Sequence, residues 1–243
     1  LNEDYATTSR QIYLRDFVST PVSLLNTRRI GGTANQVEVP EGVSLDRGQR
    51  DVPTDLLGAA KVTGAVGDVR YGVLGAVEDE ALWLGKSLLD SPIEVSGDGR
   101  DFGVARLIYE NVGDTRRSLG YMGTFVGGPV YDATVHSVDG HFTSGSGKLI
   151  ADAQIITSER SEEQGYGGVF DLMYNVAPNL SHKFEIDYMD ENINFNDLGF
   201  LRRNDYGSFR YMLLYDKQSI SPQVSNFRMT LTAFQEYNTT KSQ

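Results

Sequence analysis

From His182 to Glu191 the side chains alternate, with Phe184, Ile186 and Tyr188 set against Lys183, Glu185 and Asp187. Successive residues of a β-strand point to opposite faces, so this pattern makes a strand with one apolar and one charged face. The pattern recurs along the chain. Tyr166, Phe170, Leu172 and Tyr174 oppose Asp171 and Asn175; Phe209, Tyr211, Leu213 and Tyr215 oppose Ser208 and Arg210; Phe227, Met229, Leu231 and Ala233 oppose Arg228, Thr230 and Thr232. Each run is about ten residues, nearly twice the ~5–6 usual in soluble strands. Helical periodicity is almost absent. The exception is the stretch 79–89, Asp-Glu-Ala-Leu-Trp-Leu-Gly-Lys-Ser-Leu-Leu, which predicts a short amphipathic helical turn inside a loop.

Connections of two kinds separate these runs. Gly67-Asp68, Gly113-Asp114-Thr115, Ser144-Gly145-Ser146-Gly147 and Ala177-Pro178-Asn179 are tight turns built from residues that adopt turn dihedrals, and Lys217 to Pro222 is a looser one. Long connections are expected at roughly 31–53, 79–100, 126–133, 159–165 and 192–204. Tight turns at one rim, long loops at the other and long alternating strands between are the pattern of an outer-membrane barrel. Lipid offers no hydrogen-bond partner, so spanning strands must close on themselves, with apolar side chains outward and polar ones inward. The fold expected is therefore all-β, an antiparallel transmembrane β-barrel with about ten strands in this window, forming part of a larger barrel. A water-soluble antiparallel sandwich is the alternative, since it also alternates.

Composition narrows the classes. The 243 residues include 26 Gly, 13 Tyr, 11 Phe and 1 Trp, and no Cys. Without Cys there is no disulfide scaffold, zinc ribbon or thiol nucleophile. No run approaches the ~20 apolar residues of a spanning helix. A net charge of −11 has the wrong sign for nucleic acid. The chain opens Leu1-Asn2-Glu3-Asp4, with neither the basic nor the apolar region of a leader, and closes on the polar run 238–243. The expectation is a processed chain or an internal piece of a longer one, with residues 1–243 as one barrel domain or barrel fragment.

The stretch Asp197-Leu198-Gly199-Phe200-Leu201-Arg202-Arg203-Asn204-Asp205-Tyr206 resembles a signature of an uncharacterised group of bacterial outer-membrane β-barrel proteins. Members of that group carry a carbohydrate-binding family nine domain N-terminal to the barrel. Thr27-Arg28-Arg29-Ile30-Gly31, Gly58-Ala59-Ala60-Lys61-Val62-Thr63-Gly64 and Arg116-Arg117-Ser118-Leu119-Gly120 are similar to further elements of the group, in the group's order. The resemblance spans residues 27 to 206. It implies a bacterial outer-membrane location and a barrel, and it implies no established activity. The expectation is that the N-terminal carbohydrate-binding domain of the group does not form part of residues 1–243.

Candidate chemistry is sparse. His136 and His141 are five apart, so on one strand they face opposite ways, which is poor geometry for a shared metal. His182 stands apart, and Ser144-Gly145-Ser146-Gly147 lacks the strand-to-helix setting of a nucleophile elbow. No catalytic residue and no cofactor is expected. Asp190, Glu191 and Asp197 are candidate oxygen ligands for Ca²⁺, against chance clustering among 33 acidic residues. The pairs Arg28-Arg29 and Arg202-Arg203 are expected at strand ends, one member of each facing inward. With Lys61, Glu185, Asp187 and Asp205 they form the candidate lumen or constriction set. The alternative is an ion-pair network that only stiffens the barrel. Tyr166, Tyr174, Tyr188, Tyr206, Tyr211 and Tyr215 are the candidate aromatic girdle at the lipid interface. The function expected is a pore, transporter or docking channel for a small solute, carbohydrate among them. The alternative is a plugged, non-catalytic barrel that anchors a sugar-binding domain or an envelope partner; a hydrolase is the third reading. The expected partners are outer-membrane lipid, the solute and an envelope protein, with no nucleic acid.

Overall fold

The computed structural model describes residues 22–33 and 36–240. The chain's opening residues and Lys241–Gln243 lie outside the described residues. Thirteen strands run in chain order: β1 (Val43–Leu45), β2 (Leu56–Val66), β3 (Val69–Glu78), β4 (Ala81–Ser87), β5 (Pro92–Gly97), β6 (Asp101–Val112), β7 (Arg116–Gly127), β8 (Ala133–Thr143), β9 (Leu149–Arg160), β10 (Glu163–Ala177), β11 (Leu180–Met189), β12 (Tyr206–Ser221) and β13 (Val224–Tyr237). Two short 3-10 turns, Thr27–Arg29 and Gln49–Asp51, precede β2. The fold is all-β and antiparallel, and there is no α-helix among the described residues.

Ten of the strands form one meander in the order β13-β12-β11-β10-β9-β8-β7-β6-β3-β2, and β1-β4-β5 form a separate three-stranded sheet. Each neighbouring pair of the meander is antiparallel, whether joined by a short hairpin or, as for β3–β6 and β11–β12, by a long connection. β2 and β13 are its two edges and do not pair with each other.

The two faces of the large sheet are inverted relative to a water-soluble protein. One face carries Leu107, Leu119, Val138, Ile155, Ile186 and Phe209 with their side chains exposed, Ile155 at 67% and Leu119 at 60%. The opposite face buries charge, with Lys183 and Glu185 each 1% exposed and Asp152, Asp171 and Asp187 also buried. A soluble sheet puts its apolar face on the core and its polar face in water. Here the sheet curls around its polar face.

That concave face changes character along the strands. Near the long-connection rim it is apolar. Ala76, Phe102, Val104, Val126, Val135, Ile156, Val169 and Met189 form one cluster there with two incoming loop segments. One segment brings Val22 and Leu24, the other Ile193, Phe195 and Leu198. Toward the tight-turn rim the same face becomes a belt of ionic and hydroxyl groups. The apolar cluster covers one mouth of the concavity and the polar belt lies beneath it.

Two local expectations are corrected. The stretch 79–89 is not helical. Its Ala81–Ser87 portion is β4, which buries Trp83 and Gly85 and exposes Leu82 and Leu84. Period 2 therefore wins over the helical reading, because β4 has a partner on each side. β1 and β5 take up its ladder, and a Cβ at Gly85 would stand 2.7 Å from the Ser44 carbonyl oxygen. The connection expected at 159–165 is also not long. Arg160 pairs with Glu163 across a two-residue turn in which Ser161 and Glu162 have φ of 51° and 67°. Two successive positive φ values make a type I′ turn, which neither residue favours. Replacing Ser161-Glu162 by Asn-Gly should stabilise the β9–β10 hairpin by about 1 kcal/mol. The thermal midpoint of purified double variant against parent checks this, and an unchanged or lower midpoint contradicts the turn assignment.

Candidate functional site

The polar belt is built by strand parity. On β8, Ser137, Asp139 and His141 share the concave side, while His136 and Val138 point outward. The five-residue spacing of His136 and His141 thus places them on opposite faces, as the sequence predicts. His136 Nδ1 lies 2.8 Å from the Tyr121 hydroxyl on the outer face. His141 Nδ1 lies 2.6 Å from Asp152 Oδ1, its cross-strand partner on β9, and His141 Nε2 lies 2.9 Å from Thr143 Oγ1. Hydroxyl, imidazole and carboxylate in line is the order of an acyl-transfer triad. Stabilising an oxyanion also requires free donors aimed at one point. Thr143 sits on a strand paired on both sides, so the surrounding ladders occupy the backbone N–H groups. This chain of hydrogen bonds fastens β8 to β9.

Ionic bridges link the other strands. Arg106 on β6 reaches over β7 to Asp139 on β8, with its Nη2 donating at 2.8 Å and Nη1 forming the second bond of a fork. The bridge passes over Gly120, where a Cβ would stand 2.6 Å from Arg106 Nη2 and 2.7 Å from Asp139 Oδ2. A side chain at that point would have to displace the tips of both. Glu110 accepts from both Arg70 and Arg116. Glu185 lies between two cations. Arg210 Nη1 donates to its Oε2 at 2.9 Å, and Lys183 Nζ approaches its Oε1 to 2.7 Å without hydrogen-bond alignment. Coulomb attraction does not need that alignment, so the contact is an ion pair. The Ser208 hydroxyl donates to Asp187 at 3.0 Å.

A second ionic cluster fastens the covered rim. Glu78, at the end of β3, accepts from Arg100 Nε at 2.8 Å, from Arg100 Nη2 at 2.7 Å and from the backbone N–H of Gly31 at 2.9 Å. Arg100 Nη2 also donates to the Arg29 carbonyl at 3.3 Å. Both side chains are buried. The arrangement ties the segment 22–33 to the mouth of the sheet.

The candidate lumen residues distribute over several places. Glu185 and Asp187 lie in the belt. Lys61 is on the concave side of edge strand β2, opposite Leu74. Arg28 and Arg29 do not flank a strand end; they belong to the 3-10 turn Thr27–Arg29, capped by the Asn26 side chain. Arg29 Nε donates to the Gly199 carbonyl at 3.1 Å, joining the two covering segments. Arg202 and Arg203 are exposed on the 190–205 connection, and Arg203 pairs with Glu236 of β13. Asp205 meets neither Arg pair. It accepts from the Thr239 hydroxyl at 2.8 Å and from the Thr240 hydroxyl and N–H at 2.6 Å each.

Those hydrogen bonds, the Thr240 hydroxyl first, hold the Asp205 carboxyl down at about 2. A carboxyl depressed below its ordinary 3.8 stabilises the folded state fully above that value and loses the contribution as pH falls toward 2. The 238–240 segment should therefore detach from Asp205 between about pH 4 and pH 2. Asp205→Asn should loosen it at neutral pH. Amide exchange of Thr240 followed against pH checks this, and exchange that is flat across that window contradicts it.

The Ca²⁺ candidates do not converge. Asp190 is a turn former, its Oδ1 accepting from the N–H of Asn192 and Ile193 and its Oδ2 from the N–H of Tyr166. Glu191 accepts from Thr240, and Asp197 accepts from the Tyr131 hydroxyl at 2.8 Å. Burial and the adjacent Asp197 carboxylate raise the Tyr131 phenol above its ordinary value. Among the described residues no three metal-ligating side chains gather.

Of the candidate girdle, Tyr166 and Tyr188 stand on the outer face near the long-connection rim, and Tyr174 near the tight-turn rim. Tyr211 and Tyr215 share that face, Tyr211 with its hydroxyl 2.8 Å from His182 Nδ1. Tyr206 is corrected. It lies on the concave side, 7% exposed, in the apolar cluster. Strand parity decides this, since Tyr206 shares its face with Ser208 and Arg210 and not with Phe209. Arg106, Asp139, His141, Asp152, Lys183, Arg210 and the Glu78–Arg100 pair are absent from the candidates read in the sequence. The same parity rule, applied to every strand, is the signal that finds the first six.

No protein-family model, curated protein or solved structure matches the chain.

Proposed function

We propose that this chain is a wall of a bacterial outer-membrane β-barrel and that its concave face lines a conduit for small polar solutes. The observation that carries the proposal is the inverted sheet, apolar outside and ionic inside. Lipid in contact with the outer face accounts for Ile155, Leu119 and their neighbours without any further protein layer. The tyrosines fit the same reading. Tyr166 and Tyr174 are eight residues apart on β10, roughly 26 Å along the strand and about 20 Å in height at the usual tilt. That is close to the ~25 Å apolar band of such barrels. The edges β2 and β13 carry open ladders, and closure needs further strands between them. The resemblance of residues 27–206 to the outer-membrane group supports the same location.

Two segments, around Val22–Leu24 and Ile193–Leu198, cover the long-connection mouth with apolar packing. This specific observation favours a second reading, a plugged barrel that serves as an anchor. Conductance separates the two. Reconstituted into a planar bilayer, the whole protein should give discrete ohmic steps if the conduit is open. Folded, inserted protein without steps supports the anchor instead.

A further inference from the structure

The strands of the large sheet are staggered in one direction. Followed from partner to partner across the ladders, Val66 on β2 leads through Leu119, Ala153 and Ile186 to Gln235 on β13. Val66 is the tight-turn end of its strand, whereas Gln235 lies eleven residues beyond Val224, the tight-turn end of β13. Nine steps of ~4.8 Å across the sheet therefore accompany about eleven of ~3.3 Å along it, a tilt of about 40°. Strands of closed barrels tilt by about 35–45°.

At that tilt the outer face sorts its side chains by level. Apart from tyrosines, the ionisable residues facing outward from these strands are Asp101, Arg117, His136, Glu159, His182 and Lys217 among the described residues. Asp101 and Glu159 lie at the long-connection margin, and the cations Arg117 and Lys217 lie at the tight-turn margin, about 25 Å away. Lys148, in the turn before β9, falls within about 2 Å of the level of Arg117 and Lys217, although the three spread from β7 to β12. Tyr71, Tyr109, Tyr174 and Tyr215 make a layer about 4 Å further into the apolar band.

The three cations of this margin are exposed or half-buried, with no ion pair and no side-chain hydrogen bond among the described residues. Nearby carboxylates do not neutralise them. Glu110 accepts from Arg70 and Arg116, and Asp216 accepts from Arg228, all on the concave side by strand parity. Asp68 and Asp114 stand in the turns, further out than the cations.

We infer that the tight-turn margin of the outer face, at Arg117, Lys148 and Lys217, is a binding surface for the phosphates of anionic phospholipid headgroups. Tyrosines settle at the headgroup level of a bilayer, and cations just outside them meet the charged surface of the leaflet. Arg117 offers a guanidinium fork to a phosphate, and the two lysines are mobile point charges. Asp101 and Glu159 repel the same headgroups at the opposite margin, which gives the sheet a preferred direction across the bilayer. The inference rests on the proposed contact of lipid with the outer face and adds the class of headgroup.

The test uses the whole protein reconstituted in phosphatidylcholine vesicles with a trace of spin-labelled phosphatidylglycerol or spin-labelled phosphatidylcholine. The fraction of each label immobilised at the protein surface is read. The parent should hold phosphatidylglycerol about two- to fivefold more strongly than phosphatidylcholine. Added salt should reduce that preference. Arg117→Gln with Lys148→Gln and Lys217→Gln should bring it close to parity, and Arg117→Gln alone should lower it part of the way. Asp101→Asn with Glu159→Gln removes charge from the other margin and should not lower it. Equal retention of the two lipids by the parent overturns the inference. So does a preference that survives the triple variant, or one that falls equally in the carboxylate variant. A parent that immobilises phosphatidylcholine without preference leaves lipid contact standing and defeats only the headgroup assignment. A parent that immobilises neither label overturns both.

Discussion

Ile155→Arg should prevent the chain from assembling in the outer membrane while leaving its water-exposed regions unaffected. Ile155 lies midway along β9, paired with Val138 on one side and Gly168 on the other, with its side chain 67% exposed. On a sheet facing water, arginine there would be nearly neutral or mildly favourable, since exposed surface substitutions usually fall within about ±0.5 kcal/mol. At the midplane of a bilayer it costs about 2–4 kcal/mol. Gln154→Arg is not the matching control, because Gln154 is buried among Ser137 and the segment at Val22. Glu159→Arg serves instead, being exposed on the same face of β9 at the long-connection rim. The fraction that folds into vesicles should fall sharply for Ile155→Arg and stay near the parental value for Glu159→Arg. Equal folding of the two variants would remove lipid from the outer face.

Breaking the Glu78–Arg100 pair should have an effect of similar size at a different place. Glu78→Gln keeps the shape but removes the charge that Arg100 needs, and leaves a guanidinium with 4% of its side chain exposed. Removing one partner of a buried pair costs roughly 3–5 kcal/mol, most of it from the charge left behind. Replacing both, as Glu78→Leu with Arg100→Met, should recover much of that loss. The Gly31 N–H bond to Glu78 would still be missing in the double variant, so the segment 22–33 should remain looser than in the parent. Urea midpoints give the stability order, parent first, then the double variant, then Glu78→Gln. Protease cleavage near Arg28 gives the loosening. A Glu78→Gln protein as stable as the parent would mean that the pair is dispensable.

Much of this architecture was legible from alternation. The apolar set Phe227, Met229, Leu231 and Ala233 does share one side of β13, and the charged set 183, 185 and 187 does share one side of β11. Period 2 survives in the structure because each of these strands is flanked by another and has only two faces to choose between. The small sheet was not legible. Trp83 and Leu82 read equally well as a helical stripe, and one of the two partner strands, Val43–Leu45, is distant in sequence. The turn at Ser161-Glu162 was hidden because neither residue announces a positive φ. Arg28, Arg29, Arg202 and Arg203 were conspicuous as doublets, yet rim loops hold them. The belt instead uses single charges such as Arg106, Asp139 and Lys183, whose significance appears only when strands are laid side by side.

The same inversion accounts for both the exposed aliphatic face and the buried ions, and it can be probed directly because the chain contains no cysteine. Single cysteines placed at successive positions from Asp152 to Thr157 of β9 carry spin labels whose contact with dissolved oxygen and with a water-soluble nickel chelate is measured in lipid vesicles. With lipid on the outer face, a two-residue rhythm is expected, with labels at 153, 155 and 157 accessible to oxygen and shielded from nickel, and those at 152, 154 and 156 not enriched in oxygen. Labels at 153, 155 and 157 that meet the nickel chelate as freely as a loop position would contradict it, and would turn the apolar face toward water or another protein.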